Sequence, residues 1–559
     1  MRGTNMNTHV SNFHSLTLCI WNAQGVLFKK NELFTFITEN NLDIIIITET
    51  HLNGSNSFNI PNYTSYRCDR LRCRGGGAMI LIKTCLQSCF YAEDNSEQFE
   101  YISIKTRLQK YGDVIITAIY NPPRNVLKKQ DFRKLIPRGQ KVIIAGDINT
   151  KHRIWGCNGT NKNGKILNKL IDTDGLYVHL PDIPTYHSLQ FNHRPEYLDL
   201  LITNFQFNCT LYTINELSSD HLPIITYTDD AMENKTKIFH KTNWTLFKNI
   251  LIFKKLHKLK IRTPEDIDVE VKKLQDKIIK AKDEASTIKK VHHQYLKLPD
   301  EIMQLIALRN RQRKVHRLTQ NPADKQKLNR YNKLIKIEVQ HYRNQRWAEL
   351  LVNIANDERR LWDITKAIRN PRNISRPLHG PNGLEYYDEE KTEIFARSLE
   401  NQFTENYTIA DILHDEEVIR QNDNYFNNNQ SIDTNTIQCI TTREILNTIK
   451  KLKSHKAPGK DKITNVIIKQ LPVKYVARLA AIYNRCLALG YFPSPWKHAI
   501  TVLFPKSGKD LKFPDSYRPI SLLGNLGKLF EKLIYARLKP HLSFLPQHQF
   551  GFREGRGTD

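Results

Sequence analysis

Between residues 16 and 230 the apolar positions come in short, β-branched blocks bounded by turn formers: LTLCIWN, LDIIIITET, GGGAMILIK, YISIKTRL, DVIITAIYNPP, KVIIAGDIN, YLDLLIT and LPIITYT. Blocks of this length without helical spacing predict buried strands. KKNELFTFITENN and NKNGKILNKLIDTDG lie between some of them and predict helices. The alternation predicts an α/β or α+β sandwich with sheets inside and helices outside.

Beyond residue 230 the spacing changes. Thr263 and Pro264 suit a helix start, and Ile267, Val271, Leu274, Ile278, Ala281 and Ala285 follow at intervals of four and three. A second helix is expected after Pro299 and a third from about Pro322 towards Ile368. The basic clusters RNRQRKVHR and HYRNQRW fall on these helices. They read as the solvated face of a helical connector, with direct nucleic-acid contact as the sharper alternative. DNYFNNNQSIDTNTIQ reads as a linker, and after about residue 440 the chain is punctuated by Pro and Gly. The expected division is 1–230, a connector over 231–440, and 441–559.

Composition adds location to this outline. A chain of 559 residues with 40% hydrophobic residues can bury two or three cores. The net charge of +27 is uneven: residues 1–230 hold 24 Lys plus Arg against 21 Asp plus Glu, a net of +3, which leaves +24 for residues 231–559. A field of that sign concentrates polyanions, nucleic acid above all. The nine cysteines include no C-x-x-C pair, so reduced thiols in an intracellular protein are expected and no zinc site is. No apolar run reaches the 18 residues of a membrane span, and LTLCI is too short for a signal sequence.

Candidate chemistry collects at strand ends. Asn22 closes LCIWN, Glu49 closes IIIITE, Tyr120 closes IITAIY, and Asp147 and Asn149 close VIIAGDIN. Asp199 opens DLLIT, and Asp220 and His221 precede LPIITY. A single polar strand end needs no explanation, but six together suggest a shared site. Carboxylates and an amide suit Mg²⁺, which prefers oxygen donors and keeps water. Asp147 and Asn149, two apart, would point the same way on a strand, so Asp147 could take a proton from a water beside Asn149. A histidine backed by a carboxylate can stay protonated against a phosphate. Metal-assisted phosphoester hydrolysis is the expected chemistry.

The motifs WNAQG, TETHL, IYNPP, AGDINTKHRIWG, PTYHSLQFNHRPEYLDLLIT and SSDHLPI, in this order over about residues 15–228, resemble the endonuclease/exonuclease/phosphatase superfamily, specifically the endonuclease domain of Jockey-like non-LTR retrotransposon proteins. The resemblance implies a four-layer α/β sandwich that nicks target DNA with Mg²⁺ or Mn²⁺. It implies metal-site roles for Asn22 and Glu49, supported by Asp220, and a phosphate contact for Tyr120. Asp147 and Asn149 would handle the attacking water, Asp199 would orient His221 on the scissile phosphate, and Thr185 would border the DNA. Gln24 stands where repair-type relatives often carry Asp, and Glu196 where many have Ser. A carboxylate so close to a phosphate is repulsive unless it turns away. RCRGGGAMI lacks the phosphate-loop pattern and reads as a tight turn entering a strand, with Arg74 within reach of DNA backbone.

HKAPGKDKIT, WKHAITVLFPKSGKD, SYRPISLLGNLGKLFEKLIYARL and QFGFREGRGT, over about residues 440–559, resemble the fingers region of the reverse transcriptase in the same proteins. Lys460, Lys506, Arg518 and Arg553, beside Gly and Pro turns, would cradle template backbone and incoming nucleotide. The palm carboxylates of that family would follow GFREGRGT, so a complete nuclease with an incomplete reverse-transcriptase region, unable to polymerise alone, is expected. Element RNA is the expected second partner, the nucleus the expected place of action, and no membrane is involved. Rival readings are a phosphatase or sphingomyelinase on the same fold, and an inactivated element copy that only binds nucleic acid.

Overall fold

A computed structural model describes residues 13–70, 75–94, 99–187, 194–233, 238–290, 298–354, 361–362, 364–365, 375–381, 383–404, 412–428, 438–454, 456–544 and 548–549. The chain divides into two compact units, one of residues 1–235 with 293–397 and the other of residues 236–292 with 398–559. The stretch 231–440 is therefore shared between both units.

The first unit contains two six-stranded sheets. The strands of these two sheets are β1 (Phe13–Asn22), β2 (Ile44–Thr48), β3 (Tyr63–Cys68), β4 (Ala78–Lys83), β5 (Ser88–Asp94), β6 (Glu100–Leu108), β7 (Gly112–Tyr120), β8 (Lys141–Asp147), β9 (Tyr177–His179), β10 (Asp199–Thr203), β11 (Cys209–Thr213) and β12 (Ile224–Glu233). One sheet runs β11-β12-β1-β2-β4-β3 and the other β5-β6-β7-β8-β10-β9. Only β1 with β2 and β7 with β8 run parallel; the remaining pairs in both sheets are antiparallel. The inner faces meet in a core that includes Leu18, Ile20, Ile46, Ile80, Ile104, Ile116, Ile143 and Leu201. The helix α1 (Lys30–Glu39) covers the outer face of the first sheet with Leu33, Phe36 and Ile37 against Trp21 and Ile45. The helices α2 (Lys129–Lys134) and α3 (Lys162–Asp174) cover the other, with Phe132, Leu167 and Leu170 against Ile144 and Ile202. Burial on both sheet faces explains the solid apolar runs in β2 and β8. Gly75, Gly76 and Gly77, all at positive φ, form the tight turn into β4.

Helices Asp300–Thr319 and Pro322–Ile354 also belong to this unit and close on each other through Leu298, Ile302, Ile306, Ile335 and Val339. The solvated-face reading fails for Arg309, Arg313 and His316, all of which are buried.

The second unit is mainly helical. Helix Pro264–Glu284 starts on a capping box between Thr263 and Asp266, as its sequence suggests, and buries Ile267, Val271, Leu274, Ile278 and Ala281. It packs into one core with helices Thr442–Lys451, Val473–Ala488 and Asn525–Leu538. Tyr483, Trp496 and Phe530 are central there, the Tyr483 and Phe530 rings stacking at 4.8 Å. Asp268 accepts from Tyr491 Oη at 2.8 Å and from the Ser494 backbone N–H at 2.9 Å. This helix, expected in a connector, is thus part of a core. The expected linker begins inside a helix, since 423–428 complete Ile412–Asn428, while 429–437 lie outside the described residues. Thr263→Ala should remove the cap and cost about 1 kcal/mol locally, read as faster amide hydrogen exchange in the first turn of Pro264–Glu284.

Candidate active site

Parallel pairing of β1 with β2 and of β7 with β8 puts their C-terminal ends at one edge of the sandwich. Asn22 ends β1 opposite Thr48, one residue before Glu49. Asp147 ends β8 and pairs directly across from Asp199 at the start of β10. His221 lies just before β12 and bridges to Tyr186.

These residues form one connected cluster. The Asn22 amide donates to Glu49 Oε1 and to Asp147 Oδ2, each at 2.8 Å. His221 Nδ1 lies 2.7 Å from Asp199 Oδ2, and its Nε2 is 3.9 Å from Asp147 Oδ2. Tyr120 helps to lower the Glu49 carboxyl, and the Arg70 guanidinium lies 5.7 Å over the Tyr120 ring. Gln24, at the position where relatives often carry Asp, partly offsets the rise that burial imposes on the Asp220 carboxyl.

Asn149 reaches the cluster differently from the sequence expectation. β8 stops at Asp147, and Asn149 has φ of 51°, so strand alternation does not align the two side chains. The turn instead brings the Asn149 backbone N–H to Asp147 Oδ1 at 3.1 Å, while its amide donates to the Asn121 carbonyl at 2.9 Å. Thr185 is fully buried, with its hydroxyl 3.5 Å from the Asp199 backbone N–H that donates to it. It sits behind Asp199 and not at an outer surface, contrary to the expectation that it borders DNA. Glu196 turns away, accepting from Lys151 Nζ at 3.3 Å and from the Asn158 backbone N–H at 3.1 Å, which answers the repulsion expected of it. Arg74 and Arg553 lie outside the described residues. In the second unit Lys460 and Arg518 are exposed, and Lys506 donates to the Asp515 carbonyl at 2.7 Å. Lys506 directly follows strand Ile500–Pro505, and Arg518 lies in its hairpin partner Tyr517–Leu522, opposite Phe504.

The electrostatics follow from burial and from the facing carboxylates. Two acids directly opposite across an antiparallel pair repel. Burial would depress His221, but the charge and hydrogen bond of Asp199, helped by Asp147 and Asp220, outweigh it and raise the imidazole to about 10. His221 is therefore a cation at neutral pH. Burial raises the Asp147 carboxyl, and His221 opposes that rise in part. Burial would also raise Glu49, but hydrogen bonds from His51, Asn22 and Tyr120 hold it below its usual value. Burial raises Asp220 as well. Asp147, Asp199 and His221 offer donor atoms within 4.8 Å of one another. Since His221 Nδ1 is engaged by Asp199, the Glu49 carboxylate beside Asn22 is the better fit to a hard divalent cation. The Asp199 Oδ1 atom is buried and has no hydrogen-bond partner among the described residues.

Sequence reasoning missed several supporting groups. Asn121 follows Tyr120 directly, yet its role appears only in space: its amide donates to the Ile148 carbonyl at 3.0 Å and fixes the turn after β8. The Arg70–Glu100 ion pair joins residues 30 apart. His51 lies 3.4 Å from Glu49, two residues along the TETHL motif.

Residues 114–225 match the family model described as Endonuclease-reverse transcriptase. The RNA-directed DNA polymerase from mobile element jockey of Drosophila melanogaster is 31% identical over 566 residues, covering 97% of this chain and 61% of that protein. The probable RNA-directed DNA polymerase from transposon BS of the same species is 28% identical over 97% of this chain and 61% of its own length. The chain thus spans about three fifths of the length of these relatives. Among solved structures, the endonuclease domain of TRAS1, a telomere-specific non-LTR retrotransposon, is 15% identical, with a TM-score of 0.30, covering 38% of this chain and 98% of that one. The Xenopus laevis APE2 catalytic domain is 16% identical, with a TM-score of 0.31, covering 39% and 93%. The similarity runs through sandwich and helical unit alike, so over nearly all of its own length this chain resembles about three fifths of the polyproteins of Jockey-like non-LTR retrotransposons.

Proposed function

We propose that the sandwich is an Mg²⁺-dependent endonuclease that hydrolyses one phosphodiester of target DNA, leaving a 3′-OH from which the element's RNA is reverse transcribed. The observation that carries this reading is the position of Asp147, with Asn22 and Glu49 on one side and the Asp199–His221 pair on the other. Asp147 takes the proton of the attacking water, a task suited to a carboxyl raised by burial. The Asn149 backbone N–H holds Asp147 Oδ1 in place. His221, kept cationic by Asp199, stabilises charge building on the phosphoryl oxygens. Tyr120 contacts the phosphate, and Glu49 and Asn22 hold the cation with Asp220 in support. When bound there, a divalent cation would supply Lewis-acid polarisation of the phosphate. In the second unit Lys460, Lys506 and Arg518 serve template and nucleotide.

The full chain should convert supercoiled plasmid to open circle in Mg²⁺, stop on chelation, and leave phospholipid and inositol phosphate untouched. The rate should rise with pH as Asp147 deprotonates and fall again near pH 10, where His221 loses its proton. Hydrolysis of phospholipid but not plasmid would overturn the reading, and an alkaline limb that persists in His221→Gln would remove His221 from it.

A further inference from the structure

Helix Asp300–Thr319 carries Arg309, Arg313 and Arg317 four residues apart, so the three guanidinium groups share one face. Arg309 donates to Glu32 at 2.6 Å and to Ser218 Oγ. Arg313 donates to Asn215 Oδ1 at 3.1 Å and to the Leu217 carbonyl, and Arg317 to Asn215 Oδ1 at 3.1 Å. Asn215, Leu217 and Ser218 lie in the loop between β11 and β12 that continues into Asp220 and His221. The helix is therefore fixed to the loop that carries two of the proposed site residues.

Between this helix, helix Pro322–Ile354 and the loops after β1 and β2 lies a cavity of about 1030 Å³. Gln24, His51 and Asp220 line it on the side of the proposed site, and Lys314, Arg317 and Lys336 on the helical side. The lining holds six lysines and arginines against two carboxylates, Glu32 and Asp220, and Arg309 already engages Glu32. His316, only 6% exposed, also lines it, with Nδ1 lacking a hydrogen-bond partner among the described residues. Burial, with the neighbouring guanidinium groups, lowers Arg313 to about 9, and burial lowers Arg317 to about 10, as expected of cations short of counter-charge. Lys314 and Lys336 are exposed, and Phe28, 66% exposed, lies on the same lining with Lys336 Nζ 5.3 Å over its ring.

We propose that this cavity is a phosphodiester subsite for the DNA strand flanking the scissile bond, contacted by Lys314, Arg317 and Lys336, with His316 donating behind them. Excess cations around a partly enclosed space concentrate a polyanion. Guanidinium and ammonium groups bind phosphate without reading sequence. The exposed Phe28 ring offers a stacking face to a base. DNA, and not RNA, is the assigned occupant because the cavity adjoins Gln24, His51 and Asp220. The proposal rests on the DNA-nicking reading.

Lysine acetylation of the full chain in chelating buffer, with and without a short DNA duplex, reads the subsite without any cleavage. Lys314 and Lys336 should lose reactivity several-fold once DNA binding saturates, and an RNA duplex should not reproduce the effect. The Lys314→Gln/Lys336→Gln variant should lower the salt dependence of DNA binding by about two, one per lost phosphate contact, and raise KM for nicking with kcat unchanged. Reactivity that DNA leaves unchanged, or that RNA alone lowers, overturns the subsite. A chain that protects both lysines but never nicks overturns the endonuclease reading and leaves the subsite standing.

Discussion

Asp147→Ala should slow plasmid nicking by about 10³-fold or more while duplex DNA binds as tightly as before. The variant removes the proposed base and one of the two carboxylates that accept from the Asn22 amide. It also relieves the like-charge pairing with Asp199, so the sandwich should melt no earlier than wild type. His221→Ala should be comparably slow, and the double variant little slower than either, since groups serving one transition state do not add. Nicking by Asp147→Ala at the wild-type rate would sink the assignment; lost nicking together with early melting would reduce Asp147 to a structural role.

Gly146→Ala, one residue earlier, should fail for a different reason. Gly146 has φ of 143°, and an added Cβ would stand 2.1 Å from the Ile119 carbonyl oxygen on β7 and 2.9 Å from Thr48 Cγ2. Neither a carbonyl in a central strand nor a fully buried Thr48 can retreat cheaply. Backbone strain and overpacking together should cost about 3–5 kcal/mol and push Asp147 out of line. Urea denaturation followed at the sandwich should show an early midpoint together with lost nicking. Gly139 at φ of 72° has nothing within 4 Å of its Cβ position, so Gly139→Ala should pay only backbone strain and retain activity. A Gly146→Ala chain of wild-type stability would mean the close approach is not a constraint.

Eight strands were legible as apolar blocks. Within the two six-stranded sheets the four that do not read this way, β3, β5, β9 and β11, are the four edges. An edge strand has one partner and more solvent, so its side chains need not be apolar: Tyr63–Cys68 mixes buried with half-buried residues, and in Cys209–Thr213 only Leu211 is buried. The site was legible for a related reason. Asn22, Glu49, Asp147 and His221 interrupt or border runs that are otherwise fully buried, so their polarity stands out. Asn149 was found by position but not by geometry, because a positive φ cannot be read from strand alternation. Thr185 was misplaced because a hydroxyl facing Asp199 and one facing DNA look alike in sequence. The role of Arg309, Arg313 and Arg317 was hidden because i, i+4 arginines on a helix look the same over water as over the Asn215–Ser218 loop.

Helix Pro264–Glu284 belongs to the second unit, whereas the chain on both sides of residues 236–292 belongs to the first. Its apolar face of Ile267, Val271, Leu274 and Ile278 is covered by helices Thr442–Lys451, Val473–Ala488 and Asn525–Leu538, all far downstream. During synthesis from the N-terminus that face is made well before the residues that shelter it. The two units therefore cannot close in the order in which they are written, and the helical one waits until Asn525–Leu538 has been made.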